Sequence, residues 1–221
     1  MGLLHSAADV LLHLPEHLAA LLARFHVWLY AIVCGVIFAE TGLVVTPFLP
    51  GDSLLFALGA LTAVDASKTL HVGWLWVLLT AAAVAGNSVN YAVGYGIGPR
   101  AFSGRYRFFR LEYLLRTEAF FRRHGGATVL LSRFVPIVRT FAPFVAGIGR
   151  MPQARFQLSN LAGAASWVSL FLLGGYAFGN LPWVRTHFGA MTLLIVALSL
   201  VPLAGIVLRG GTGREDVGRG G

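Results

Sequence analysis

The sequence has few charged residues. Only 12% of its 221 residues are Asp, Glu, Lys or Arg, against about 25% in an average soluble domain. Hydrophobic residues make up 57% of the chain, and the mean hydropathy is +0.73. This composition excludes an ordinary soluble domain. It also excludes a disordered chain, because disorder requires low hydrophobicity. The composition therefore indicates an integral membrane protein.

Cysteine and lysine each occur once, as Cys34 and Lys68. A single cysteine excludes a disulfide framework and a cysteine metal site, and we expect no metal and no other cofactor. The other basic residues are arginines, and basic residues exceed acidic ones by 17 to 9. In so apolar a chain, we expect this excess to face anionic lipid head groups and not nucleic acid.

Six apolar stretches are long enough to cross or enter a bilayer, since about 20 helical residues span about 30 Å of hydrocarbon. They are roughly 20–39, 43–64, 72–95, 126–149, 157–179 and 188–208. The arginine-rich segment 99–123 is too polar to span and is predicted to form a cytoplasmic loop with an interfacial amphipathic helix. We predict one membrane domain over 20–208, preceded by an amphipathic lead-in (1–19) and followed by a disordered cytoplasmic tail (209–221).

Two of the six stretches contain residues that interrupt a spanning helix. Stretch 43–64 contains Pro47, Pro50 and Gly51, and stretch 126–149 contains Pro136. Proline removes a backbone hydrogen bond and breaks helices. Broken backbone at membrane depth is tolerated only inside protein or beside a wet cavity. We therefore predict that both stretches are re-entrant helical hairpins, shaped by these residues and facing each other.

The distribution of basic residues orients the chain. With both termini cytoplasmic, thirteen basic residues lie inside and two, Lys68 and Arg185, lie outside, which follows the positive-inside rule. The predicted fold is an all-α polytopic membrane protein with four transmembrane helices and two oppositely oriented re-entrant hairpins. The order of helix, hairpin and helix occurs twice, which is typical of inverted-repeat transporters whose broken elements meet near the midplane.

Four charged residues lie within the apolar stretches: Glu40, Asp52, Arg133 and Arg139. Each costs about 2.5–3.5 kcal/mol at the bilayer centre, so we expect them to be compensated and functional. Arginine binds phosphate through paired donors, which predicts that Arg133 and Arg139 hold a substrate phosphate. Burial favours the neutral form of a carboxylate and a nearby arginine favours the charged form, so Glu40 and Asp52 are predicted to couple protons or ions.

The third stretch carries two amides, Asn87 and Asn90. We predict that they support the cavity. The alternative is that they make ordinary hydrogen bonds between packed helices.

Several motifs resemble the DedA family of membrane proteins, whose domain is also known as the VTT or SNARE-associated domain. The resemblance covers about residues 25–180. Its motifs are Glu40, Phe48-Leu49-Pro50-Gly51-Asp52, Gly86-Asn87 to Gly94, Ser132-Arg133-Phe134-Val135-Pro136-Ile137-Val138-Arg139-Thr140 and Ala146-Gly147.

The resemblance implies a bacterial inner-membrane protein with two re-entrant hairpins that moves lipid across the bilayer. The implied cargo is undecaprenyl phosphate, with a link to the proton motive force, although the family also has members tied to other phospholipids. The implied functional residues are Glu40, Asp52, Arg133 and Arg139. Asn87 departs from the family pattern, which often has Asp at that position.

The sequence thus predicts a flippase-type lipid transporter and not an enzyme. Its expected partners are an anionic membrane lipid and protons, and a homo-oligomer is left open. Two alternatives are a phospholipid scramblase and a proton-coupled cation antiporter, although an antiporter leaves the two arginines unexplained. The motif Ser132-Arg133 with Arg139 is similar to a phosphatidate phosphatase signature, but the nucleophilic histidine of that signature is absent.

Overall fold

The structure is a computed structural model that describes residues 28–43, 51–65, 69–101, 125–179 and 181. The regular elements in these ranges are helices. In chain order they are α1 (Trp28–Gly42), α2 (Gly51–Val64), α3 (Val72–Ala101), α4 (125–132), α5 (Pro136–Ile148) and α6 (Gln153–Phe178), and α6 includes a π-helical turn at Ser169–Leu173.

Some sequence predictions fall outside the described residues. These are the lead-in 1–19, Pro47 and Pro50, most of the basic segment 99–123, the stretch 188–208 and the tail 209–221.

Two of the described helices are long and apolar enough to cross a membrane. They are Val72–Ile97 of α3 and Gln153–Phe178 of α6, each of 26 residues, or about 39 Å of helix. Large apolar side chains are exposed on both helices, among them Trp74 and Leu161. Continuous exposed apolar surface fits contact with lipid, in agreement with the membrane class that the composition indicates.

The helix is interrupted in stretch 126–149, one of the two that contain prolines. A turn at 133–135 separates α4 from α5, and Pro136 lies in the first turn of α5, where proline is tolerated. In the other stretch, α1 ends at Gly42 and α2 begins at Gly51. Pro143, by contrast, lies inside α5 without ending it.

The helix bounds also differ from the predicted ones. The third helix continues past 95 to Ala101, and α6 begins at Gln153 instead of 157. The π-helical turn Ser169–Leu173 has no counterpart in the sequence predictions.

Two glycines bring α2 against the second half of α6. A Cβ atom on Gly59 would overlap the backbone of Leu172 and Tyr176, and a Cβ atom on Gly175 would overlap the carbonyl group of Phe56. The two backbones are therefore too close for any side chain at either position, as in helix pairs packed through small residues.

An equivalent close crossing of two helices occurs between α5 and α3. A Cβ atom on Gly147 would overlap the backbone of Tyr91 and Tyr95, and one on Gly94 would overlap the carbonyl group of Phe144. The two crossings correspond atom for atom. On each long helix, the contacting carbonyl lies three residues before the glycine and the contacting amide one residue after it.

In both crossings, a short helix from one half of the chain packs on the long helix of the other half. The short helix α2 from the first half packs on α6 of the second half, and α5 from the second half packs on α3 of the first. An equivalent pair of crossings is the arrangement expected when two structural repeats pack together.

We expect alanine to be tolerated poorly at these glycines. Gly175→Ala and Gly94→Ala overpack the crossings and should each cost about 1–3 kcal/mol. Their neighbours Gly174 and Gly96 face open space, so alanine there should be neutral or stabilising by up to about 1 kcal/mol through helix propensity. The measurement is the thermal midpoint of the protein in detergent. Equal effects at all four positions would contradict the close approach.

Candidate functional site

Arg139 joins two carboxylates from different helices. Its Nη1 atom donates to Oδ1 of Asp52 at 2.6 Å, and its Nη2 atom donates to Oε1 of Glu40. The side chains of Arg139, Asp52 and Glu40 are only 14%, 12% and 3% exposed. One enclosed guanidinium therefore connects α5 with α1 and α2.

The beginning of α2 lies at both carboxylates. Asp52 is in its first turn. The carboxylate of Glu40 lies so close to Gly51 that a Cβ atom there would overlap it. The N-terminus of a helix carries partial positive charge, so α2, like Arg139, stabilises both acids. Gly51, which the sequence predicts to shape the hairpin, is needed at this position to admit Glu40.

Arg133 is held by neutral groups. Its Nη2 atom donates to the carbonyl of Ala83 at 3.2 Å and to Oδ1 of Asn160 at 2.9 Å. The residue is 4% exposed, and its Nε atom has no hydrogen-bond partner among the described residues. Within the same residues, no carboxylate is within ion-pair distance of Arg133. Its charge is therefore buried without a directly paired anion.

Asn87 lies beside Arg133. One terminal atom of its amide is 3.0 Å from Oδ1 of Asn160 and 2.9 Å from Nη2 of Arg133. With the amide oxygen turned towards the guanidinium, Asn87 is a further neutral acceptor for Arg133. The role of Asn87 in supporting a cavity stays a prediction.

Asn90 has a different role. Its amide donates to the carbonyl of Thr140 at 2.8 Å and to the carbonyl of Thr41 at 3.4 Å, and it is fully buried. Asn90 therefore connects α3 with α5 and α1. This is the hydrogen bonding between packed helices that the sequence offers as the alternative.

Trp167 of α6 contacts three of the four charged residues, and the sequence predictions do not include it. Its Nε1 atom donates to Oδ1 of Asp52 at 2.9 Å. The guanidinium carbons of Arg139 and Arg133 lie 5.4 and 5.7 Å from the ring centroid, within the range of cation–π contact. Its position in the middle of a span is a signal by which the sequence could have identified Trp167, because tryptophans of membrane proteins are enriched at the interfaces.

Asn160 is the second residue that the sequence predictions lack. It is fully buried, it accepts from Arg133, and its own amide donates to the carbonyl of Val84 at 3.1 Å. An amide within an apolar span is the signal that points to it.

The cluster lies halfway along the two long helices. Trp167 is about 21 Å from the first residue of α6 at 1.5 Å per residue, close to the middle of the span. Ala83, whose carbonyl binds Arg133, is similarly central on α3. Charged groups at that depth of a membrane protein are costly and are usually functional.

Comparison with known proteins assigns the family. The VTT domain model matches residues 49–177. The chain is 47% identical to protein DedA of Escherichia coli (strain K12) over 203 residues, which cover 91% of this chain and 92% of that protein. The chain belongs to the DedA family. This confirms the resemblance drawn from the sequence motifs.

Two further relatives of this DedA-family chain are membrane proteins by name. Inner membrane protein YghB of Escherichia coli (strain K12) is 34% identical over 203 residues, covering 90% of this chain and 91% of YghB. An uncharacterised membrane protein of Mycobacterium tuberculosis (strain H37Rv) is 39% identical over 168 residues, covering 76% of this chain and 73% of that protein. No solved structure matches the chain significantly.

We expect Arg139 to be the stabilising partner of both acids. Arg139→Met leaves two buried carboxylates without their cation, which should cost about 3–5 kcal/mol. The triple variant Arg139→Met, Glu40→Gln, Asp52→Asn removes all three charges and should recover most of that loss. The measurement is thermal unfolding in detergent, with Arg150→Met, at an exposed arginine, as the control. If the triple variant does not recover the stability lost in Arg139→Met, then Arg139 does not stabilise the protein by pairing with the two acids.

Proposed function

We propose that this DedA-family protein moves an anionic lipid across the bacterial inner membrane, with the lipid head group bound by Arg133 and Arg139. The observation that carries the proposal is Arg133, a buried guanidinium held by neutral groups, whose Nε donor has no partner in the part of the chain that the structure describes. A phosphate supplies the missing negative charge and accepts from this donor.

The helix ends favour an anion as well. Both α2 and α5 begin beside the cluster, and helix N-termini attract negative charge. Discontinuous helices whose N-termini point at an anionic substrate group are a recurrent feature of transporters. A metal cation or an ammonium group meets two buried arginines there, which disfavours the cation antiporter.

The cargo that we propose is undecaprenyl phosphate. Its charged head needs a polar path across the membrane, while its polyprenyl tail stays in the hydrocarbon. A phospholipid scramblase is the second candidate, because the same arginines can bind the phosphate of other lipids.

We also propose how protons are coupled to transport. An incoming phosphate competes with Glu40 and Asp52 for Arg139. A carboxylate that loses its cation in a low-dielectric site gains affinity for a proton. Anion binding thus favours proton uptake by these acids. In this proposal the protein acts as a transporter and not as an enzyme.

The proposed topology has both termini in the cytoplasm, four transmembrane helices and two re-entrant hairpins of opposite orientation. The break between α4 and α5 at membrane depth supports this, because broken backbone is stable there only against protein or a wet cavity.

Labelling of single cysteines tests this topology. Cys34→Ser provides a background without cysteine, to which Gly126→Cys, Pro152→Cys or Thr69→Cys is added. A re-entrant hairpin predicts that cysteines at 126 and 152 react only with a cytoplasmic reagent, and one at 69 only with a periplasmic reagent. Labelling of 126 and 152 from opposite sides would mean that this stretch spans the membrane.

Lipid movement in vesicles that contain the purified protein tests the function. We expect the wild type to move undecaprenyl phosphate, and Arg133→Gln and Arg139→Gln to slow it at least about tenfold through loss of charge-assisted bonds to phosphate. Arg150→Gln is the control, since Arg150 is exposed. Phosphatidylethanolamine is measured in parallel. Equal movement of both lipids favours a scramblase. If neither lipid moves, the lipid proposal is wrong.

A further inference from the structure

We propose that Trp167 is the positioning residue of this site, because its indole N–H keeps Asp52 hydrogen-bonded when a phosphate draws Arg139 away. The inference rests on the proposed function, since it requires a phosphate to reach Arg139.

Trp167 remains a donor to Asp52 in that state. Its Oδ1 atom accepts from both Arg139, at 2.6 Å, and Trp167, at 2.9 Å. When Arg139 leaves, a carboxylate that is nearly enclosed loses its cation, and a buried carboxylate without donors is unfavourable. The indole N–H lowers this cost, so it makes the exchange of Arg139 from Asp52 to phosphate easier.

Trp167 is suited to remain in place while Arg139 moves. It is 1% exposed and belongs to the apolar core that includes Leu55 and Leu172. The ring of Phe171 packs edge-on against it, with the centroids 6.4 Å apart. A packed indole has little freedom, whereas arginine has a long side chain with several rotatable bonds.

The indole ring also holds both cations without using their donors. Cation–π attraction acts through the face of the ring, so the N–H groups of a guanidinium stay available to a phosphate. Trp167 therefore keeps two like charges near one anion-binding position and holds the acid that competes with the anion.

Binding of a radiolabelled short-chain prenyl phosphate tests this role, with the full-length protein in phosphatidylcholine nanodiscs. Trp167→Phe retains a ring but loses the donor, and we expect it to weaken binding by about tenfold, the scale of a hydrogen bond to a charged group. The matched control is Trp76→Phe, which removes an indole donor that bonds to the Ser169 hydroxyl at 2.8 Å. Its effect should stay within about twofold.

A double-mutant cycle separates this role from ordinary core packing. If Trp167 acts through the charge of Asp52, then Trp167→Phe should change binding by less than about twofold in the Asp52→Asn background. An equal loss in both backgrounds would show that the ring matters only for packing, and the inference would be wrong. No loss in either background, with normal binding by the wild type, would also overturn it and would leave the proposed function intact.

Indole NMR provides a readout that does not require a Trp167 variant. In ¹⁵N-tryptophan-labelled wild-type protein, the indole N–H resonance of Trp167 should shift when the prenyl phosphate is added, and that of Trp76 should not. If the probe binds but the Trp167 resonance does not shift, the inference is wrong and the proposed function is unaffected. A wild-type protein that binds no probe contradicts the proposed function, and the inference with it.

Discussion

The attachment of Arg139 to both Glu40 and Asp52 is the constraint on which the other features of the site depend. It requires the end of α1, the start of α2 and the first turn of α5 to meet in one place. Glycine at position 51 is needed because Glu40 must approach the beginning of α2. The break before Pro136 places Arg139 in the first turn of α5. A buried ion pair adds little to stability compared with apolar side chains of similar size. Stability alone therefore does not account for three charged groups halfway along the two long helices.

The two arginines are not equivalent. Arg139 is bound by two carboxylates, whereas Arg133 is bound by carbonyl and amide groups, and no described residue accepts from its Nε atom. An anion can approach Arg133 without displacing another charge, but it must compete with Glu40 and Asp52 for Arg139. Under the proposed function, this difference orders the events: the head group first meets Arg133, and the subsequent exchange at Arg139 releases a carboxylate to take up a proton. Two arginines that were both held by neutral groups would provide no such link.

The sequence predicts the charged residues well and their surroundings poorly, for physical reasons. A charge within an apolar run stands out because its insertion is costly, and a proline stands out because it removes a backbone bond, so Glu40, Arg139 and the break at Pro136 can be found locally. Trp167 cannot be found in this way. It is an apolar residue in an apolar helix, and it contacts Asp52 from 115 positions away along the chain. Asn87 and Asn160 stand out as amides within apolar spans, but their position beside Arg133 is set by tertiary contacts, which no local pattern encodes.

Under the proposed function, the exchange of short helices gives the ion cluster a mechanical role. The crossing through Gly59 and Gly175 joins α2 to α6, and the crossing through Gly94 and Gly147 joins α5 to α3, on which α1 also packs. The bond from Arg139 to Glu40 therefore lies within the unit of α1, α3 and α5. The bond from Arg139 to Asp52, by contrast, connects that unit to α2 and α6, in addition to the direct packing of α3 on α6. A phosphate that takes Arg139 from Asp52 removes a charged contact between the two units and leaves the glycine crossings within each unit intact. Alternating access requires a substrate to loosen one packed unit from another in this way.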